Sequence, residues 1–567
     1  MPGQRRGTTQ PGARRASYWA AAVALLASVA GAVTAEPTYG QSPADPGTTE
    51  FHASPSLPLD HWAYPILRRW IAEGRVTNLS PLTTPYRRLD VARALQEMDP
   101  YELQGGDASW HRELTEELRR ELDRLTGVDG SSEELQSRMD LGGSVVSQAH
   151  RDPMRAHVTG SPSRTRPLER LTWEATGRME SAVAGLRVRR DGFHRHDAQF
   201  PDGVVERSPD GVLSALELRM DEAYVEVQGR RARLSFGRQS RNWAPPGTLG
   251  LLRSPYPYTF DELGYRLGSD RLFLMGTVSS LRDFPGDTAR YHAVHRLEFR
   301  PRPDLVVAIS EASMHGGAGE PIDFRLISPL AIWEVNRKGE RDVQSNLLAQ
   351  ADLWWRAHQS LVVYAAMLAD SPLGQGACCE TGGTLGLEFP TLGPRAVHIR
   401  TEVTALQSLL YRTARPWEEY SVHGIGLGWD QSDVVHALVE AGVFAGSTLL
   451  LRPYLALQLR GEESEFVGRR RPSQSELPDV SGILVGRHES TLRVALAGRW
   501  RSPGPWSVDL SWDLGVNRIR HMGHVEGRHG VYPVGRAQIG LTLPLLSFTE
   551  SVDASGSPEP SQREGTP

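Results

Sequence analysis

The chain has 567 residues and a formal net charge of −5 at pH 7, with 23% charged and 39% hydrophobic residues. So small a charge over so long a chain argues against nucleic acid or an anionic membrane surface as the partner. Two adjacent cysteines, Cys378 and Cys379, are too few for a disulfide framework or a four-cysteine zinc site. In an oxidising compartment they could pair with each other, and because such a ring is strained, a reduced pair is an equal alternative.

The N-terminus has the pattern of an export signal. Four arginines precede the apolar run from Tyr18 to Val33, and the small residues Thr34 and Ala35 follow it. This order predicts a signal peptide over residues 1–35. Residues 36–56 are rich in Pro, Ser, Thr and Gly and predict a linker. No later apolar stretch reaches the ~20 residues that a spanning helix needs, so the exported chain is either soluble or a β-barrel.

Residues 57–137 predict a small periplasmic α-helical unit. Asp60 to Met98 has the apolar spacing of two short helices, with Gly74 as the C-cap of the first. Ser109 to Thr126 predicts a longer helix, because its apolar residues recur every four positions. Residues 61–64 and 88–92 resemble half of an S-layer homology repeat, a kind of repeat that binds cell-wall polymers. Packing on a neighbouring element and contact with the cell wall are both open interpretations.

Residues 138–548 alternate between apolar and polar side chains. In residues 396–405, for example, Val397, Ile399 and Val403 interleave with His398, Arg400 and Glu402. Period-two alternation predicts strands with one apolar face. In a soluble sandwich this face would point inward, whereas in a membrane barrel it points outward against lipid.

Loop lengths favour the membrane barrel. Tight turns such as Arg300 to Asp304 alternate with long connections such as 407–433 and 461–490. Short turns at one end and long loops at the other are typical of outer-membrane barrels. We therefore predict an all-β transmembrane barrel of about 18 antiparallel strands over 138–548. Residues 549–567 are of low complexity and predict a disordered tail.

The connection after residue 238 is the strongest candidate site. An alternating strand ends there, and about twenty residues rich in proline, arginine and aromatics follow before alternation resumes. Aromatic faces beside planar hydrogen-bonding groups suit sugars, and arginine suits their carboxylates. The alternative is that the loop folds into the lumen with its arginines paired there.

Ordered motifs in this region and beyond resemble the Wzi family of capsule assembly proteins. They are Phe236–Ser240 with Trp243, then His295–Leu297, then Asn346, Asp352, Tyr364 and Asp370, and finally Leu427–Asp433. Ala244 and the segment from Pro255 to Tyr258 depart from the family pattern. The resemblance implies an occluded outer-membrane barrel, with a periplasmic helical element, that acts as a lectin for capsular polysaccharide. The residues expected to bind polysaccharide or gate the lumen are Arg238, Gln239, Arg241, Asn242, Trp243, Arg253, Tyr256, Tyr258, Asp352 and Asp370.

The functional prediction is a non-enzymatic outer-membrane barrel, in contact with lipid, that binds and retains surface polysaccharide. A diffusion porin tethered to the cell wall through the helical unit is the first alternative, and a barrel hydrolase is the second. No nucleophile-elbow, phosphate-loop or zinc-protease motif is present in the sequence. His521, His524, Glu526 and His529 cluster in the sequence, but loop histidines are commoner than metal ligands, and no metal or other cofactor is expected.

Overall fold

The computed structural model describes most of the chain from His52 to Glu550. The described residues are 52–103, 106–127, 133–148, 154, 164–191, 219–255, 259–281, 288–329, 345–370, 380–392, 397–413, 415–422, 425–445, 448–465, 477–502 and 507–550. The predicted signal peptide and the first part of the predicted linker lie outside these residues, as do Tyr256, Tyr258, Cys378 and Cys379.

Eighteen of the described strands form one closed antiparallel barrel. Every strand pairs with the next along the chain, and the last strand pairs with the first to complete the ring. Closure satisfies the backbone hydrogen bonds that an open sheet would leave exposed in hydrocarbon. The barrel strands are β1 (Glu133–Gln148), β2 (Arg164–Met179), β3 (Ala182–Asp191), β4 (Arg219–Gln228), β5 (Ala232–Arg238), β6 (Asp261–Gly268), β7 (Leu272–Leu281), β8 (Thr288–Arg302), β9 (Leu305–Ala318), β10 (Ser345–His358), β11 (Leu361–Asp370), β12 (Glu380–Leu392), β13 (Val397–Leu406), β16 (Val434–Ala445), β17 (Leu449–Arg460), β18 (Glu489–Arg501), β19 (Ser507–Arg520) and β20 (His529–Glu550).

Strands β14 (Ser421–Val422) and β15 (Ile425–Gly426) form a separate two-stranded sheet within the connection between β13 and β16.

The ends of the barrel differ slightly from the prediction. Strand β1 begins at Glu133, inside the segment expected to be helical, and β20 runs through Thr549 and Glu550, the first residues of the expected tail. Both extensions pair with each other across the closing seam, which the sequence of either strand alone does not reveal.

The apolar face of the strands points outward, as predicted for a membrane barrel. Side chains on this face are substantially exposed, for example Ile309 at 61%, Val403 at 47% and Val494 at 59%. Their neighbours Arg400, Glu402 and Thr404 on β13 are buried in the lumen. The barrel thus carries an apolar belt outside and a charged interior, the arrangement of a barrel surrounded by lipid.

The connections sort by length between the two barrel ends. One end has only short turns, such as residues 180–181 between β2 and β3 and residues 303–304 between β8 and β9. The other has the long connections, including residues 239–260 between β5 and β6 and residues 407–433 between β13 and β16. We call these the short-turn end and the long-loop end.

The helical unit precedes the barrel. Its helices are α1 (Tyr64–Glu73), α2 (Arg88–Glu97), α3 (Gly106–Glu117) and α4 (Arg119–Leu125). Gly74 caps α1 with a left-handed φ of 77°, as predicted. The single helix expected over Ser109 to Thr126 is instead two, because Leu118 breaks the run with a non-helical backbone. None of the described helices is both long and apolar enough to span a bilayer.

The helical unit packs against the inner wall of the barrel. Its apolar core continues into Val306, Trp354 and Tyr364 of β9, β10 and β11. The Arg300 guanidinium of β8 donates to the carbonyls of residues 77, 78 and 79 at 2.6–3.1 Å, and Arg501 donates to Glu113 at 2.8 Å. Because these wall residues adjoin the short turns, the unit fills the lumen from the short-turn end.

Candidate functional site

The loop between β5 and β6 folds into the lumen and is organised by Asn242. The Asn242 side chain donates to the carbonyl oxygens of Ala244 and Thr248 and accepts from the Gly250 backbone N–H at 3.0 Å. The Trp243 backbone N–H donates to the Arg253 carbonyl at 3.0 Å. One buried amide therefore holds both arms of the loop together, and this gives Asn242 a positioning role.

A second long connection, residues 407–433, packs on this loop. The hydroxyls of Tyr411 and Tyr420 donate to the carbonyls of Leu251 and Leu252 at 2.6 and 2.8 Å, and the two rings stack with centroids 5.8 Å apart. Burial raises the pKa of both hydroxyls, so they remain protonated donors. The Ser254 hydroxyl donates to the Gly428 carbonyl at 2.7 Å. These contacts lock the two loops into one layer across the long-loop end.

Two of the predicted arginines share one buried carboxylate. The Arg241 and Arg253 guanidinium groups donate to the two oxygens of Glu262 at 2.5 and 2.7 Å, and the Glu262 side chain is 0% exposed. Arg253 also lies over the Phe260 ring at 4.7 Å from its centroid. Glu262 was not predicted as a site residue, although its alternation with outward-facing neighbours on β6 marks it as an inward carboxylate.

Trp243 lies beneath this layer and is completely buried. The Arg296 guanidinium lies 5.5 Å from the Trp243 ring centroid and donates to Asp352 at 2.7 Å. Gln350 donates to the other Asp352 oxygen, also at 2.7 Å. Trp243 and Asp352 lie far apart in the sequence. The structure brings them together through Arg296, which belongs to the His295–Leu297 motif.

The remaining predicted residues have separate environments. Arg238 forms a two-pronged ion pair with Asp261 at 2.9 and 3.0 Å on the outside of the barrel rim. Asp370 is buried and accepts from the Tyr411 backbone N–H at 2.7 Å. Gln239 is 3% exposed, and its Nε2 has no hydrogen-bond partner among the described residues.

The loop layer touches the helical unit in the middle of the lumen. Thr84 and Asn242 pair through both backbone N–H groups at 3.0 and 3.1 Å. Arg68 of α1 donates to Glu388 on β12 at 3.0 Å and to the Thr248 hydroxyl at 3.1 Å. The helical unit from one end and the loops from the other thus meet inside the barrel.

Asp433, the last residue of the Leu427–Asp433 motif, ties a third long connection to this layer. Its carboxylate accepts from the backbone N–H groups of Glu463 and Val485 at 3.1 and 3.0 Å. Burial raises the pKa of Asp433. This residue has a left-handed φ of 49°, and its buried hydrogen bonds hold that conformation in place.

The histidines of the last loop make other contacts. His524 Nδ1 lies 2.7 Å from the Arg487 carbonyl, and the Arg487 side chain donates to Glu526 at 2.8 Å. Within the described parts of the chain, no group of three His, Cys, Asp or Glu side chains is arranged to hold a metal ion.

An exposed aromatic residue outside the predicted site lies at the long-loop end. Phe324 is 70% exposed in the short helix α5 (Phe324–Ile327), between β9 and β10. The Arg325 side chain beside it donates to Asp323 at 2.7 Å. An aromatic residue between two charged neighbours in a long connection is the sequence signal for such a position.

Fold and site together define a class: an outer-membrane-type β-barrel with eighteen strands, whose lumen is occupied from both ends. No protein-family model matches the sequence, and no curated protein matches it at a significant level. Among solved structures, the barrel is similar to Wzi of Escherichia coli, described as an outer-membrane protein involved in group 1 capsule assembly and a carbohydrate-binding β-barrel. The TM-score is 0.56 at 14% identity, over 85% of this chain and 98% of that one.

Two further solved structures are also similar. A BenF-like porin from Pseudomonas fluorescens Pf-5 gives a TM-score of 0.43 at 10% identity, over 72% of this chain and 99% of that one. OpdQ of Pseudomonas aeruginosa gives 0.40 at 8% identity, over 73% of this chain and 98% of that one. At these identities the likeness to Wzi concerns the fold alone, and the two weaker scores carry no argument about function.

Proposed function

We propose that this protein is a non-enzymatic, non-conducting outer-membrane barrel that binds and retains surface polysaccharide at its long-loop end. The observation that supports this most is the meeting of Thr84 and Asn242 in the middle of the lumen. A barrel filled by its own side chains is poorly suited to diffusion of solutes. The fold shared with a carbohydrate-binding barrel agrees with a binding role. A tethered porin, the alternative, would conduct.

We propose the usual outer-membrane orientation. The long loops are extracellular, and the short turns and the helical unit face the periplasm, because bacterial barrels place their short turns there. The apolar belt then contacts outer-membrane lipid. We also propose that the helical unit contacts the cell wall. The contact would use surface that does not pack on the barrel, for example at Tyr101, which is 96% exposed.

The predicted site residues divide into two proposed roles. The buried ones gate the lumen, because their side chains are enclosed within the loop layer or paired with the inner wall; they are Gln239, Arg241, Asn242, Trp243, Arg253, Asp352 and Asp370. The glycan contacts are Arg238, Tyr256 and Tyr258, together with Phe324. An exposed ring offers the flat apolar face on which a sugar stacks.

Deletion of the gene tests capsule retention directly. In a capsulated host, staining should show polysaccharide lost from the cells and recovered in the medium, and re-expression should restore the cell-bound fraction. Polysaccharide that stays cell-bound in the deletion strain, with none shed, would contradict the proposal.

Substitution Phe324→Ala tests the loop contact. We expect purified variant protein to bind the host polysaccharide roughly 2- to 10-fold more weakly, because a stacking aromatic contact contributes about 0.5–1.5 kcal/mol. Val525→Ala is the matched control, since Val525 is 50% exposed in another connection at the same end but has no aromatic face. Equal affinities for both variants and the native protein would remove Phe324 from the site.

A further inference from the structure

A polar cavity of about 280 Å³ lies between the helical unit and the inner wall of β4 to β8. Gln239 and Arg241 line it on the side of the loop layer, and Asp270 and Glu97 line it at the short-turn end, where both are exposed. Its volume is at the low end for small-molecule sites, which limits a ligand to about the size of a monosaccharide. Its exposed lining residues lie at the short-turn end, opposite the long-loop end that is proposed to bind polysaccharide.

Two arginines on the cavity wall stand directly opposite each other. Arg233 on β5 is the register partner of Arg266 on β6, and both line the cavity. Like charges directly opposite on neighbouring strands are destabilising. Arg266 lies 3.5 Å from Asp270 and 4.0 Å from the centroid of the Phe273 ring. Among the described residues, the Arg233 side chain makes no hydrogen bond or close ion pair; Asp90 and Glu226 attract it only from a longer distance, while Arg87 and Arg266 repel it. An anionic group between the two would relieve their repulsion.

The cavity also offers groups for hydroxyls. Glu226 is 8% exposed and lines the cavity. Its side chain makes no hydrogen bond or close ion pair within the described chain, although Arg87 and Arg233 attract it from a longer distance. Gln239, also lining it, has the unpartnered Nε2 noted above. By contrast, Arg87 and Asp90 already satisfy each other through contacts of 2.5 and 2.8 Å. The side chains without a close polar partner are therefore Arg233 of the opposed pair, the Glu226 carboxylate and the Gln239 amide donor.

We propose that this cavity binds a sugar acid, whose carboxylate bridges Arg233 and Arg266 while its hydroxyls donate to Glu226 and accept from Gln239. A carboxylate alone would give Glu226 no hydrogen-bond donor, and a neutral sugar would leave the mutual repulsion of Arg233 and Arg266 in place. A ligand that carries both a carboxylate and hydroxyls gives each of these cavity side chains a partner, and buried polar groups need partners. The site does not depend on glycan binding at the long-loop end.

The test is calorimetric titration and thermal unfolding of the purified full chain with D-glucuronate, D-glucose, acetate and inorganic phosphate. We expect glucuronate alone to bind and to raise the melting temperature. Arg233→Gln should weaken glucuronate binding about tenfold or more, since it removes a charged hydrogen bond, and should raise the melting temperature of the ligand-free protein by relieving repulsion. Gln239→Leu should weaken binding without that second effect.

Arg231→Gln is the matched control, because Arg231 is exposed in the β4–β5 turn and does not line the cavity. It removes the same charge and should leave glucuronate binding unchanged. Acetate or phosphate binding as well as glucuronate would overturn the sugar-acid assignment. Failure of all four compounds to bind, or binding unaffected by Arg233→Gln, would show a cavity filled by solvent only.

Discussion

Asp261 and Glu262 are neighbours with the same chemistry and opposite environments. Asp261 faces out, with its side chain 56% exposed beside Arg238, whereas the Glu262 side chain is 0% exposed between Arg241 and Arg253. Exposed ion pairs contribute about 0–1 kcal/mol. Removing one member of a buried pair costs about 3–5 kcal/mol, because the remaining charge is left without compensation.

Glu262→Gln should therefore lower the free energy of unfolding by about 3–5 kcal/mol, and Asp261→Asn by less than about 1 kcal/mol. Denaturant titration of the two variants, refolded in the same detergent, measures the difference. Equal losses would mean that the loop arginines do not depend on Glu262.

The chemistry of Arg241 and Arg253 alone allows two interpretations: they bind sugar, or they pair with acidic side chains in the lumen. Their partner could have been found from the sequence, since Glu262 alternates with outward residues on a predicted strand. The partners of Tyr411 and Tyr420 could not be found from the sequence, because these contacts join loops more than 150 residues apart. Local sequence does not encode which loops meet.

The predicted barrel of about eighteen antiparallel strands is confirmed, since the described strands include a ring of eighteen. The reason is physical: a strand between lipid and a polar lumen must alternate apolar and polar side chains, so the polarity of each residue indicates the side that it faces. The break at Leu118 and the ends of β1 and β20 were not predictable in the same way, because element ends depend on pairing and packing more than on local pattern.

At the element scale, the loops 239–260 and 407–433 approach each other closely at Gly428. A Cβ there would collide with the Leu251 backbone carbonyl, and backbone cannot move aside as a flexible side chain can. Gly428→Ala should separate the loops, lower the melting temperature and raise proteolysis of residues 239–255. Gly540→Ala is the control, since a Cβ there meets nothing within 4 Å. If both variants behaved like the native protein, the loop layer would be looser than described.

The docking of the helical unit should depend on pH through Glu117. Burial raises the pKa of Glu117, but His61, Arg501 and Arg138 outweigh it and hold that pKa well below its usual value. A carboxyl with a depressed folded pKa contributes stability above its unfolded pKa of ~4.3, and this stability is lost as the pH falls through the folded value. His61, whose pKa is lowered by burial, acts in the same direction as the pH falls below ~6.5.

Thermal unfolding of the native protein should therefore show lower stability at pH 3 than at pH 7. Glu117→Gln should be clearly less stable than the native protein at pH 7, and the gap should narrow as the native carboxylate becomes protonated. A gap that stayed constant down to pH 3 would show that the charge of Glu117 does not contribute to docking.

At the scale of the whole molecule, the lumen of the barrel is filled by the protein's own helical unit and loops. The helical unit enters from the short-turn end, the loops enter from the long-loop end, and Arg68 contacts both the β12 wall and the loop layer. Loss of either plug would expose a charged lumen of eighteen strands, a size at which barrels leave an aqueous channel. This filled lumen supports the proposed binding role over the alternative of a porin.

Conductance of the purified full-length protein in a planar lipid bilayer tests this claim most directly. We expect insertions that add no steady conductance, and the appearance of channels only when the plug is weakened, as in Trp243→Ala, whose ring is completely buried in the lumen. Large, steady channels from the native protein would contradict the account and favour a porin.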